Sequence, residues 1–188
     1  MRLFLAIDLP AEVRNTLSRA VAALQRQLPP ARWARVEGIH LTLVFLGETD
    51  ERLLGGLDTA LTPVFAEVPA FDLALHGAGC FPPGGAARVA WVGVESTGDL
   101  GALAKRCALA VSEVTGKPPE ERAFHAHLTL ARCDPRWPRA AAERFVTAAT
   151  PLASGAFGAS EGVLFESQLR PQGALYTPLR RYPLRGAQ

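Results

Sequence analysis

The tetrapeptide His40-Leu41-Thr42-Leu43 recurs verbatim as His127-Leu128-Thr129-Leu130. A chain of this composition holds about 0.005 copies by chance, so two copies point to duplication or to one role served at two places. Both lie in runs of Leu, Thr and aromatic residues that favour strands. Side chains alternate faces along a strand, so His40 and Thr42 point one way and Leu41 and Leu43 the other, and His127 and Thr129 likewise oppose Leu128 and Leu130. The leucines can fill a core while each His and Thr lines an open face. If the halves are related by a pseudo-two-fold axis, the open faces meet across one cleft, presenting two imidazoles and two hydroxyls.

The remaining chain reads as strands and helices in mixed order. A strand at 2–8 is followed by a helix from Pro10 to about Leu28, with Val13, Leu17, Val21 and Leu24 at helical spacing, stopped by Pro29-Pro30. An extended piece around Trp33 to Val36 leads to a strand from Ile39 to Leu46. A helix from Asp50, as N-cap, to about Ala66 follows. Strands at Phe71 to Leu75 and Arg88 to Glu95 form a hairpin across the Gly- and Pro-rich loop Gly77 to Gly85. Then come a helix over 98–115, a strand from Phe124 to about Arg132, a helix near 139–149, and closing strands Gly162 to Leu169 and Leu175 to Leu184. This order fits an α+β fold with antiparallel or mixed sheets better than a doubly wound parallel one. We expect two pseudo-symmetric lobes, each a sheet with helices outside and the cleft between them. No linker divides the chain, so 1–188 reads as a single domain.

Composition narrows the function classes. The chain is 48% hydrophobic and 20% charged, too apolar for disorder and too interrupted by charge for a membrane span. A net charge of +2 excludes a histone-like coat for nucleic acid. Cys80, Cys107 and Cys133 include no C-x-x-C pair and read as reduced, mostly buried thiols. The N-terminus reaches Asp8 and Pro10 after a short apolar run, which reads as the first strand of a cytoplasmic protein rather than a signal peptide.

An unperturbed imidazole titrates near ~6.5, so a pair can hold one ring neutral and one protonated, as concerted base and acid catalysis requires. Phosphodiester hydrolysis suits the kit: one ring takes a proton from water, the other gives one to the departing ribose oxygen, and the threonine hydroxyls donate to the non-bridging oxygens. No metal or cofactor is needed.

These residues, with others along nearly the whole chain, identify it as resembling the RNA 2′,3′-cyclic phosphodiesterases, the LigT-like 2′-5′ RNA ligase family of the two-histidine phosphoesterase superfamily. The resemblance is carried by Arg2 to Pro10, by Arg32-Trp33 and Glu37 to Glu48, by Phe81-Pro82 and Arg88 to Val94, by Phe124 to Arg132, and by Glu166-Ser167 with Gly173 to Tyr176. It implies hydrolysis of a 2′,3′-cyclic phosphate on RNA or a nucleotide to a 2′-phosphomonoester, with reverse 2′-5′ ligation as the microscopic reversal. It also implies His127 as the base for water, His40 as the acid for the leaving 3′ oxygen, and Arg132 as a phosphate contact beside Thr42 and Thr129. Strict alternation, by contrast, puts Arg132 on the leucine face. The family usually has Pro before the second motif histidine; here Ala126 takes that place, and His125 is additional.

Other readings compete at single residues. His125-x-His127 is also a metal-ligand spacing, but only Cys133 or Asp134 stands near as a third ligand, so no metal is expected. His76 reads as structural. Trp33, Phe45, Phe81 and Trp91 read as core more readily than as base-stacking residues. Arg170, Arg180, Arg181 and Arg185 make the 167–188 end positive, which suits an RNA backbone or guards an edge strand. Pro82 to Gly85 leads into a strand and lacks Gly-Lys-Ser/Thr, so it is no phosphate loop. Beside a monomeric enzyme acting on RNA ends or cyclic nucleotides, away from any membrane, the alternatives are an RNA-end or nucleotide-binding module, or a phosphoesterase for another cyclic or 2′-5′ linked nucleotide.

Overall fold

A computed structural model describes residues 1–170 and 173–187; of the basic end, Pro171, Gln172 and Gln188 lie outside the described residues. Among the described residues the chain runs β1 (Arg2–Ile7), α1 (Ala11–Gln25), β2 (Arg32–Trp33), β3 (Leu41–Glu48), α2 (Leu54–Ala66), β4 (Phe71–Phe81), β5 (Ala87–Ser96), α3 (Leu100–Thr115), β6 (His127–Trp137), α4 (Arg139–Ala149), β7 (Phe157–Ala159), β8 (Glu161–Arg170) and β9 (Gly173–Pro183). They form two sheets, ordered β3-β1-β8-β9 and β2-β6-β5-β4-β7, in which every paired strand is antiparallel. The α+β class and the two-sheet plan are those the sequence predicts. Each motif strand sits beside the strand that centres its half: β3 on β1, β6 on β5.

Apolar spacing drives this arrangement. In α1, Val13, Leu17, Val21 and Leu24 form one buried stripe, and α3 buries Leu100, Leu103, Cys107 and Val111. Asp99 caps α3, its carboxylate accepting from the Ala102 N–H at 2.8 Å. Helices α2 and α3 pack together, α2 against β9 and α3 against β3, while α4 packs on β4, β5 and β6. The motif leucines serve the core as alternation requires: Leu41, Leu128 and Leu130 are wholly buried. Truncating any one of them to Ala costs about 2–5 kcal/mol.

Several boundaries differ from the sequence reading. Asp50 caps a 3-10 turn, Glu51–Leu53, with α2 beginning only at Leu54. Val36, read as extended, instead opens a 3-10 turn through Gly38. The strand read from Phe124 begins at His127 and continues past Arg132 to Trp137. The stretch Gly77 to Phe81, read as loop, is the second half of β4. There, His76 and Gly77 are squeezed into a bulge opposite Gly93, and Gly77 adopts φ +69°, the left-handed geometry glycine permits. Three-residue β7 has too short a pattern to register in sequence.

Candidate active site

Two further bulges shape the site. In β3, Ala6 pairs with Thr42 and Leu5 with Val44, leaving Leu43 extra; in β6, Trp91 pairs with Thr129 and Ala90 with Ala131, leaving Leu130 extra. The fourth residue of each tetrapeptide is therefore a bulge, and beyond it the side-chain parity reverses. Leu130 and Ala131 are both buried in succession, and Arg132 emerges on the face of His127 and Thr129. Regular alternation had assigned Arg132 to the leucine face; the bulge corrects that. Its charge reaches both histidines, lowering the pKa of each.

The two imidazoles are held identically. His40 Nδ1 lies 2.8 Å from the Gly38 carbonyl oxygen, and His127 Nδ1 lies 2.7 Å from that of His125. A carbonyl only accepts, so each Nδ1 carries the hydrogen and each neutral ring keeps its lone pair on Nε2. Their beds differ. His40 stacks on Phe4 at 4.4 Å between ring centres, with Tyr176 edge-on at 5.2 Å. His127 meets the Phe81 ring edge-on at 5.2 Å, and His125 packs against Trp91 at 4.5 Å. Trp91 lies over Gly79, where any Cβ would clash with the indole.

Burial pushes His40 down to about 4; the Gly38 bond and Asp8 oppose this, and Arg14 and Arg132 add to it. His127 is lowered too, first by burial and then by His125 and Arg132, against the bond to the His125 carbonyl. Both rings are thus neutral at pH 7 in the free protein.

The loop before His40 is fastened by a side chain the sequence did not advertise. Arg14 on α1 ion-pairs with Asp8 and donates to the carbonyls of Leu9 at 3.0 Å, Val36 at 2.7 Å and Ile39 at 3.3 Å. The carbonyl groups on either side of Gly38 are held by one guanidinium. Before His127, the Val94 N–H donates to the Ala126 carbonyl at 3.1 Å, and among the described residues no guanidinium does the same for 123–126. Asp8, Arg14, His40, Phe165 and Tyr176 border a cavity of about 200 Å³. A larger cavity, about 470 Å³, lies between the end of α1 and α4 and gathers none of the motif residues.

The other singled-out residues fall as follows. Trp33 packs on Trp137 as core, whereas Phe81 and Trp91 flank the second histidine and Phe45 is 72% exposed. Their apolar character misled: a strand lining a cleft reads like a strand lining a core. His76, exposed, faces Glu95 at 3.3 Å. Of the proposed third metal ligands, Cys133 is turned into the core and Asp134 pairs with Arg32 at 3.3 Å. Burial holds Cys80 and Cys133 as thiols near 11 and Cys107 near 12, so none is a ready nucleophile. Arg181 pairs with Glu161 and Arg180 with Asp58, which neutralises part of the basic end.

A family model described as the 2′-5′ RNA ligase superfamily matches residues 9–159. A Thermus thermophilus protein named RNA 2′,3′-cyclic phosphodiesterase is 37% identical over 196 residues, covering 99% of this chain and 91% of that one. The Escherichia coli protein of the same name is 31% identical over 188 residues, covering 97% and 96%. Among solved structures, one from Thermus thermophilus superposes with a TM-score of 0.81 at 31% identity over the whole of both chains. Escherichia coli LigT complexed with 3′-AMP gives 0.77 at 30% identity over 97% of each. The two antiparallel sheets are thus a LigT-like architecture. The chain belongs to the 2′-5′ RNA ligase superfamily.

Proposed function

We propose that the protein hydrolyses the 2′,3′-cyclic phosphate of an RNA end or a nucleotide to a 2′-phosphomonoester, using His40 and His127 as a metal-independent acid/base pair. The observation that carries this reading is the same device built twice. Each ring donates from Nδ1 to the carbonyl two residues back, frees Nε2, and shares its strand face with a threonine two residues on. Water attacks phosphorus as His127 removes its proton; the P–O3′ bond breaks as His40 protonates the leaving oxygen. Thr42, Thr129 and Arg132 hold the non-bridging oxygens as charge develops. Because both rings are neutral in the free protein, His40 takes up its proton together with the anionic substrate. The reverse path, attack by an RNA 5′-hydroxyl, uses the same groups with roles exchanged and gives a 2′-5′ linkage.

Three buried thiols fit a reducing compartment, and we read the protein as a cytoplasmic monomer. Among the described residues no helix is long and apolar enough to cross a membrane. The test is incubation with a 2′,3′-cyclic nucleotide in excess EDTA, followed by phosphorus NMR. The expected product is the 2′-phosphate alone. Absence of turnover would leave an RNA-end or nucleotide-binding module, and activity lost to chelator and restored by zinc would overturn the metal-independent mechanism.

A further inference from the structure

Before the chain enters β3 it makes a two-residue strand, β2, along the outer edge of the other sheet, where Arg32 pairs directly with Arg132. Paired residues of neighbouring strands project from one face of a sheet, so Arg32 stands on the face of Arg132, while Trp33 beside it turns to the core against Trp137. The exposure pattern of β6 agrees. Arg132 and Asp134 are exposed, Cys133 between them is buried, and it is Asp134 that meets Arg32, at 3.3 Å. A single row of paired positions thus crosses the sheet, from Phe81 through Val89 and Arg132 to Arg32. It begins at the ring that abuts His127 and ends at an edge cation whose side chain is 74% exposed.

Neighbouring strands run ~4.8 Å apart, so two guanidiniums on long side chains can take two phosphates that belong to one chain. A polynucleotide that ends in a cyclic phosphate carries its next phosphate one nucleoside away, on the 5′ side. In the free protein Arg32 is occupied by the Asp134 carboxylate, but an ion pair this exposed is weak and a phosphodiester offers the same acceptor oxygens. We propose that Arg32 is a second phosphate subsite, which takes the 5′ phosphodiester of the terminal nucleotide while Arg132 contacts the cyclic phosphate, so that the cleft favours an RNA end over a free cyclic nucleotide. This rests on the reading of the cleft as a cyclic phosphate site.

The test compares adenosine 2′,3′-cyclic phosphate with its 5′-methylphosphate, which adds only one phosphodiester, in the parent protein, Arg32→Gln and Arg32→Lys. The added phosphate should lower KM about 10-fold in the parent protein and hardly at all in Arg32→Gln, with Arg32→Lys, which keeps the charge, between them. A cation that merely guards the sheet edge would not tell the two probes apart. A parent protein indifferent to the 5′ phosphate, or the same KM ratio in Arg32→Gln as in the parent, therefore overturns the subsite. Calorimetric binding of adenosine 2′-phosphate and adenosine 2′,5′-bisphosphate separates this from the catalytic reading. If the protein binds both without turning over the cyclic nucleotide, the catalytic reading fails, and a tighter Kd for the bisphosphate that is lost in Arg32→Gln still upholds the subsite. If the two Kd values respond alike to Arg32→Gln, the subsite fails whether or not the protein turns over its substrate.

Discussion

His40 and His127 head the same tetrapeptide, make the same Nδ1 bond and precede the same bulge, yet among the described residues only His40 follows a loop tied down by a guanidinium. The first half-site is the more enclosed, with Phe4 and Tyr176 against the ring; the second contributes Arg132, whose charge is felt by both rings. In the proposed mechanism the repeated tetrapeptide supplies two proton carriers, and their surroundings make them unequal. A symmetric kit is sufficient for acid/base chemistry in principle, and unequal surroundings bias which ring carries the proton.

The largest effect should come from breaking either ring. His40→Ala and His127→Ala should each lower kcat on a cyclic nucleotide by about 10²- to 10⁴-fold, since each removes a positioned proton carrier. Thr42→Ala or Thr129→Ala should cost less than either, because one donor to phosphoryl oxygen is lost and both proton carriers remain. Circular dichroism would verify folding; near-parental rates in a folded histidine variant would remove that half-site from the chemistry.

A smaller effect sharpens the inequality. An imidazole in the unfolded chain titrates near 6.5, whereas His40 in the folded protein is held at about 4, so between these values the unfolded state binds more protons. Stability from keeping His40 neutral is complete above pH 6.5 and is lost as pH falls toward 4, by up to about 3 kcal/mol. In His40→Asn, which retains a donor for the Gly38 carbonyl, urea unfolding should show a flatter stability profile over this range, and in His127→Asn a less flattened one. An unaltered slope in His40→Asn would mean that the ring is not shielded from water.

Much of this site is legible in the sequence, and the misses have a common physical cause. Local periodicity places His40 with Thr42 and His127 with Thr129, and the apolar stripe of α1 is plain. What periodicity cannot register is an extra residue, because a bulge is fixed by the partner strand, far away in the chain. The bulge at Leu130 is why Arg132 seemed turned to the core, and the glycines from Gly77 on, one of them in a bulge, are why half of β4 resembled a loop. The same non-locality hid Phe45, Phe81 and Trp91, whose cleft exposure depends on which sheet face the helices leave uncovered. Arg14 escaped notice for another reason: apart from Asp8, its partners are backbone carbonyls, which leave no trace in residue identity.

Whether the two rings divide the labour is best measured with a nucleoside phosphodiester whose leaving group is an activated phenol. Such a group departs without protonation, so loss of the acid should matter little while loss of the base still matters. On changing from the cyclic nucleotide to this substrate, His40→Ala should recover a larger share of its lost rate than His127→Ala. The opposite order would exchange the two roles, and equal recovery by both variants would contradict a division of acid and base between the half-sites.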